Sequence, residues 1–225
     1  MMTRNIPKFG RLFVVFLLLG LLLGGCSLLP SGEDACVTAG SLFEDDFEAG
    51  DACGWTLYNQ GGVVADIADG VLQITTSQPG QIGWANTRRS FDDVVITVQA
   101  RQTAGPNNNA YGVVCRYQNA SNFYLFLVSG DGYYAIGKYQ SGSDQISYLT
   151  PDGKYQFSDV INQGVATNQL RVSCVGNELS LAVNGLLLLT VTDTTFVTGD
   201  IGLGVSTFEP GTAVVAFDNV RVTAP

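Results

Sequence analysis

From about Leu42 onward the chain alternates apolar and polar positions with a period of two. Residues 71–75 (Val-Leu-Gln-Ile-Thr) do so, and residues 94–101 repeat it. Segments 111–117, 123–128, 133–139 and 170–175 add aromatic and β-branched residues in short runs. Period two puts neighbouring side chains on opposite faces, so each run predicts a strand. No stretch combines helix caps with a 3.6-residue apolar stripe. The apolar run 186–191 is shorter than an ordinary helix and reads as another strand.

Turn residues separate these runs. Asp131-Gly132 and Asn184-Gly185 accept the positive φ of a type I′ turn and predict tight hairpins. Gly176-Asn177 does similar work between 170–175 and 179–183, and Asp69-Gly70 and Asp152-Gly153 mark further turns. About a dozen short strands on one uninterrupted stretch predict an all-β fold, a two-sheet antiparallel sandwich over residues 41–225.

The N-terminus departs from this pattern. Arg4, Lys8 and Arg11 precede an apolar run of twelve residues, Leu12 to Leu23, which ends in Gly24-Gly25-Cys26. A bilayer span needs roughly 20 apolar residues, so the order describes a secretory signal peptide over residues 1–25. Leu23-Gly24-Gly25-Cys26 resembles the lipobox of bacterial lipoproteins, which implies lipidation of Cys26 and an extracytoplasmic, membrane-tethered product. Residues 26–40, with Pro, Ser and Gly and no periodicity, read as the tether.

Composition then excludes several functions. The chain has 11 Lys/Arg, and losing the three leader cations leaves eight against 20 Asp/Glu. That acidic balance argues against nucleic acid as a partner and against a polybasic grip on lipid. There is no histidine, so Ser-His-Asp and Cys-His catalysis and His-ligated zinc are excluded. Apart from Cys26, four cysteines remain: Cys36, Cys53, Cys115 and Cys174. An even number in an exported chain predicts two disulfides, with three possible connectivities. The preferred pairing is Cys36–Cys53, flanking a short acidic segment, with Cys115–Cys174 joining two strands.

The order of motifs carries a resemblance. Asp45-Asp46-Phe47, Gly54-Trp55 and Gly70-Val-Leu-Gln-Ile open it. Tyr111-Gly-Val-Val-Cys-Arg-Tyr, Asn122-Phe-Tyr and Asp131-Gly-Tyr-Tyr follow. Asn168-Gln-Leu-Arg-Val, Val183-Asn184-Gly185, Gly199-Asp-Ile-Gly-Leu-Gly and Phe217-Asp218-Asn219-Val220 close it. Over residues 42–223 this resembles the concanavalin A-like lectin/glucanase superfamily, and in particular laminin-G-like domains and the 3-keto-disaccharide hydrolase family. The resemblance implies a jelly roll; it does not fix an activity, because the fold hosts lectins, glycosidases and adhesion modules. It also implies a structural calcium where the first and last strands meet, with Asp46 and Asp218 as ligands.

Two candidate sites follow. Glu44, Asp46 and Glu48 are similar to the Glu-x-Asp-x-Glu motif of family-16 glycoside hydrolases, whose chemistry needs two carboxylates about 5–9 Å apart. Here the motif opens the domain instead of lying mid-chain, and Asp45 stands where that family has an apolar residue. The other candidate is an exposed sheet face. With Cys115 and Cys174 facing the core, Arg116 and Arg171 point outward, and Tyr133 and Tyr139 share the face opposite Tyr134 and Ile136. Arg116, Tyr133, Tyr139 and Arg171 would suit a glycan surface, though core tyrosines and solvated arginines explain the same pattern. Trp55 is expected near the first disulfide, and Trp84 is open to either role. The leading expectation is a non-catalytic module for carbohydrate or another cell-surface polymer. A glycosidase of the same fold and a protein-docking adhesion module are the alternatives.

Overall fold

The computed structural model describes residues 36–225. The leader, Cys26 and the tether up to residue 35 lie outside the described residues. The first strands are β1 (Phe43–Asp45), β2 (Tyr58–Gln60), β3 (Val63–Ala68), β4 (Val71–Thr76) and β5 (Ile82–Asn86). Next come β6 (Val94–Ala104), β7 (Asn109–Asn119), β8 (Asn122–Val128), β9 (Tyr133–Tyr139), β10 (Ser147–Tyr148) and β11 (Gln156–Phe157). The last are β12 (Thr167–Val175), β13 (Glu178–Val183), β14 (Leu186–Thr192), β15 (Asp200–Thr207) and β16 (Ala213–Thr223).

They form two antiparallel sheets packed as a sandwich. A nine-stranded sheet runs β14-β13-β12-β6-β16-β4-β3-β2, with β1 on β16. A seven-stranded sheet runs β10-β9-β8-β7-β15-β5, with β11 on β9. The alternation explains the layering: in β12, Asn168, Leu170, Val172 and Cys174 are buried while Thr167, Gln169 and Arg171 face solvent. Facing rows from both sheets, such as Ile96, Val172 and Phe217 against Val113, Phe126 and Leu203, fill one core.

Both expected disulfides are present, Cys36–Cys53 and Cys115–Cys174. The Asn184-Gly185 hairpin has the expected positive φ at both residues, 50° and 85°. Asp131-Gly132 does not: only Gly132 is left-handed, because the loop is longer. The Ser129 hydroxyl donates to Asp131 and accepts the Tyr133 N–H, closing a loop through Gly130. Trp55 packs between Phe43 and Phe47, and its indole N–H donates to Asp45 at 2.8 Å.

Candidate functional site

The outer face of the seven-stranded sheet carries the site. Core residues Ile201, Leu203 and Val205 of β15 point inward, so Gly202, Gly204 and Ser206 point outward. Of these, Ser206 lines a cleft on the outer face. On its walls lie Ile82 and Trp84 from β5, and Phe123, Leu127 and Tyr139 from β8 and β9. The resulting cleft has a volume of about 750 Å³.

An aromatic run crosses this face. Tyr117 is 6.0 Å from Trp84 and 5.7 Å from Phe123, ring centre to ring centre. Trp84 is 5.5 Å from Phe123, and Phe123 stacks on Tyr139 at 5.8 Å and 26°. Phe123 and Tyr139 are direct cross-strand partners, so the β8–β9 register alone brings them together. Trp84 sits on an edge strand and is held from the other sheet. The Tyr58 hydroxyl accepts the Trp84 N–H and donates to the Trp84 carbonyl, each at 3.1 Å. Burial raises the Tyr58 hydroxyl above its ordinary pKa.

Polar groups line the same cleft. The side chains of Gln60, Gln81, Asp144, Gln145 and Ser206 make no hydrogen bond within the protein, which leaves their donors and acceptors for a ligand. Tyr155, packed at 5.1 Å against Tyr148 and 5.9 Å against Phe208, forms a further wall. Burial pushes its hydroxyl well above the usual phenol range, with Tyr148 adding to the shift. Flat apolar rings plus a few orienting polar groups make a surface suited to a saccharide.

The four residues expected on a single glycan surface separate. Tyr139 lies in the cleft, and Tyr134 and Ile136 face the core as expected. Tyr133 is exposed on the Tyr139 side of β9 but at the strand's other end, edge-on to Phe157 at 5.5 Å. Arg171 faces solvent on the nine-stranded sheet, across the sandwich from the cleft. Arg116 is a correction: it does not point outward but is 1 % exposed. A bulge sets Cys115 and Arg116 of β7 against Ile201 alone, so the alternation slips by one. Arg116 takes φ 51° and donates to the Phe196 carbonyl at 2.8 Å and to Asp93 at 3.0 Å.

The acidic triplet does not form a constellation. β1 ends at Asp45, and Asp45 is the residue that turns inward, onto Trp55 and the Phe47 N–H. Burial raises its pKa, opposed by those two hydrogen bonds. Glu44 is paired with Arg221 at 2.9 Å and with Thr38, and Phe47 at φ 59° breaks the strand before Glu48. Among the described residues, Asp144 is the one acid that lines the main cleft.

β1 does pair with β16, so the first and last strands meet. Asp46 accepts the Glu48 N–H, and Asp218 accepts the Asn219 N–H. Among the described residues no three acidic or cysteine side chains gather as a metal-binding group. Among the described residues the side-chain donor set for calcium is thus two locally engaged carboxylates.

Sequence reasoning missed Tyr117, Phe123 and Tyr58. A signal was present in β8, where Phe123, Leu125 and Leu127 alternate with Tyr124, Phe126 and Val128. A strand apolar on both faces is covered on both faces.

Comparison with known proteins fits this geometry. The family model of the 3-keto-alpha-glucoside-1,2-lyase-like domain matches residues 39–223. The fold is similar to carbohydrate-binding module CBM66 from Bacillus subtilis, with a TM-score of 0.59 at 20% identity, covering 76% of this chain and 96% of that one. It is also similar to a Bacteroides ovatus mixed-linkage glucan GH16 protein in complex with G4G4G3G product. There the TM-score is 0.59 at 13% identity, with 80% and 99% covered. A Bacillus subtilis protein with a galectin-like fold gives 0.59 at 10% identity, with 83% and 97% covered. At these identities the likeness shows the fold. No curated protein matches the chain.

Proposed function

The chain belongs to the 3-keto-alpha-glucoside-1,2-lyase-like domain family, and from that premise we propose that it is a non-catalytic saccharide-binding module. The ligand lies on the outer face of the seven-stranded sheet. The observation that carries this reading is the run Trp84–Phe123–Tyr139 beside unengaged polar side chains in one open cleft, with Tyr117 packed on Trp84 and Phe123 outside it. Pyranose faces stack on the rings, and Gln60, Gln81 and Gln145 fix orientation through hydroxyls. Similarity to a carbohydrate-binding module and to a glucan-complexed GH16 protein supports a saccharide over a protein partner.

Glycosidic cleavage is the second reading, favoured by the family's name. Retaining and inverting hydrolysis both require two placed carboxylates. Asp144, the one acid among the described residues that line the main cleft, supports binding over hydrolysis. We further propose that Cys26 is lipidated and holds the module outside the cytoplasm. Two disulfides suit an oxidising compartment, and among the described residues no helix is long and apolar enough to cross a membrane.

A glycan array probed with the purified full-length chain and with Trp84→Ala tests the first reading. Signal on a set of oligosaccharides, lost in the variant, is expected; the absence of any saccharide signal overturns it. Release of reducing ends from a bound oligosaccharide would transfer the case to cleavage. For the anchor, cells fed alkynyl palmitate should label the wild type and not Cys26→Ser.

A further inference from the structure

At the Trp84 end of the aromatic run a second recess of about 280 Å³ opens, sharing Tyr58 and Trp84 with the main cleft. Tyr117 forms one wall, and Thr56, Asn86, Arg88 and Asp200 supply its polar lining. Arg88 is the unusual member. Its backbone sits at φ 58°, a region that non-glycine residues seldom occupy and that clusters at functional sites. Two bonds hold it there. The Arg88 N–H donates to Asp200 Oδ2 at 2.8 Å, and Nε donates to Thr56 Oγ1 at 3.3 Å.

This anchoring leaves the two terminal guanidinium nitrogens without a partner in the protein. Arg116, Lys138 and Arg221 each pair with a carboxylate within 4.0 Å; Arg88, like Arg89, Arg101, Lys154 and Arg171, does not, and of these it alone lines the recess. Asp200 lines the same recess, yet its acceptors serve the turn. Oδ1 accepts from the Thr87 hydroxyl at 2.6 Å and the Ile201 N–H at 2.7 Å, while Oδ2 takes the Arg88 N–H. Burial raises its pKa against those bonds. The recess therefore presents an exposed guanidinium fork, carried on a left-handed backbone, beside the rings of Tyr58, Trp84 and Tyr117. A guanidinium fork matches a carboxylate or sulfate through two parallel hydrogen bonds. A single cation in a chain with 11 Lys/Arg against 20 Asp/Glu suits one acidic group and opposes a polyanion.

We propose that this recess is a subsite for the one acidic group of an otherwise neutral saccharide, with Arg88 as its bidentate donor and Thr56 as a positioning residue. The proposal rests on the cleft reading above and adds the ligand's charge. Glucose, glucuronate and glucose 6-sulfate are titrated into the full-length chain, following the Trp84 indole and Arg88 Nε–H signals by NMR. Glucuronate, glucose 6-sulfate or both should bind about tenfold more tightly than glucose. A gain for both shows that charge is read; a gain for glucuronate alone shows that the planar carboxylate is read.

Arg88→Gln should erase that gain and leave glucose binding unchanged, and Thr56→Val should lose most of it. Arg88→Gly should also erase it while raising Tm, because glycine relieves the left-handed backbone. Equal binding of all three sugars, or a gain that survives Arg88→Gln, overturns this inference and leaves the cleft reading standing. Failure of every sugar to perturb Trp84 overturns both.

Discussion

The two outer faces of the sandwich follow the same alternation and carry opposite loads. On the nine-stranded sheet the central outward rows are polar: Gln169, Gln99 and Asp218 stand in register across β12, β6 and β16. Arg171 and Thr97 lie in the next row. On the seven-stranded sheet the outward rows hold Ala110, Val114, Phe123, Leu125 and Leu127, all buried, with Trp84, Tyr117 and Tyr139 packed on them. A face that only needs solvent carries polar residues. An apolar outer face must be covered, and here flanking loops cover part of it while the rest stays open as the cleft. The difference puts the cleft proposed for saccharide on one side of a fold whose two halves are built by the same rule.

The largest effect is expected beneath the binding face, on the inward side of the strands that carry it. Lys138 of β9 and Tyr124 of β8 both reach Asp193, at 2.6 Å each. Burial alone would raise the Asp193 carboxyl, but bonds from Lys138, Thr195 and Tyr124 hold it well below the usual carboxylate range. Asp193→Ala strands a largely buried ammonium and should cost about 3 kcal/mol in urea unfolding. The pH dependence has a definite sign. A depressed carboxyl contributes fully above its unfolded pKa of about 4, and that stability is lost as pH falls through the folded value. The variant should lack this acid-side loss. Burial and Asp193 push the Tyr124 hydroxyl up to about 12. Its contribution is therefore present below about pH 10 and fades as pH climbs toward the folded value.

Ligand affinity tests the comparison more directly. Trp84→Ala removes the largest ring of the run and should weaken saccharide binding about thirtyfold in a calorimetric titration. Arg171→Ala, on the polar face, should leave affinity within about twofold. Equal losses in both variants would mean that the two faces do not differ in function. Tyr58→Phe removes the strap on Trp84 and should lower affinity about fivefold, the worth of roughly one hydrogen bond. The smallest effect is expected from EDTA. Asp46 and Asp218 are engaged with local N–H groups, so Tm should move by less than about 1 °C. A larger drop would show a calcium between β1 and β16.

Much of the fold was legible in the chain. The strands, the Asn184-Gly185 hairpin and the inward turn of Tyr134 and Ile136 follow from local alternation and turn chemistry, and the preferred cysteine pairing of the three possible is the one present. The site was legible only in part. Tyr139 was found because its phase on β9 could be counted from Ile136. Arg116 was misplaced because a bulge opposite Ile201 adds a residue, and counting alternation cannot register an extra one. Arg171 was read correctly as outward, yet it stands on the other sheet from Tyr139. Trp84 stayed open because β5 is an edge strand whose partner, β15, lies more than a hundred residues away.

The sequence by itself determined which segments are strands and which side chains on each share a face, because those depend on a repeat of two and on nearby turns. Which cysteines pair was settled by the fold, since Cys115 and Cys174 lie on different sheets. The acidic balance and missing histidines likewise fixed what chemistry was unavailable. Only the tertiary structure decided which outer face holds the open cleft, where the aromatic run crosses and that Arg88 stands at its end. Those facts depend on strand order and register between distant segments, and period-two alternation looks the same on either sheet.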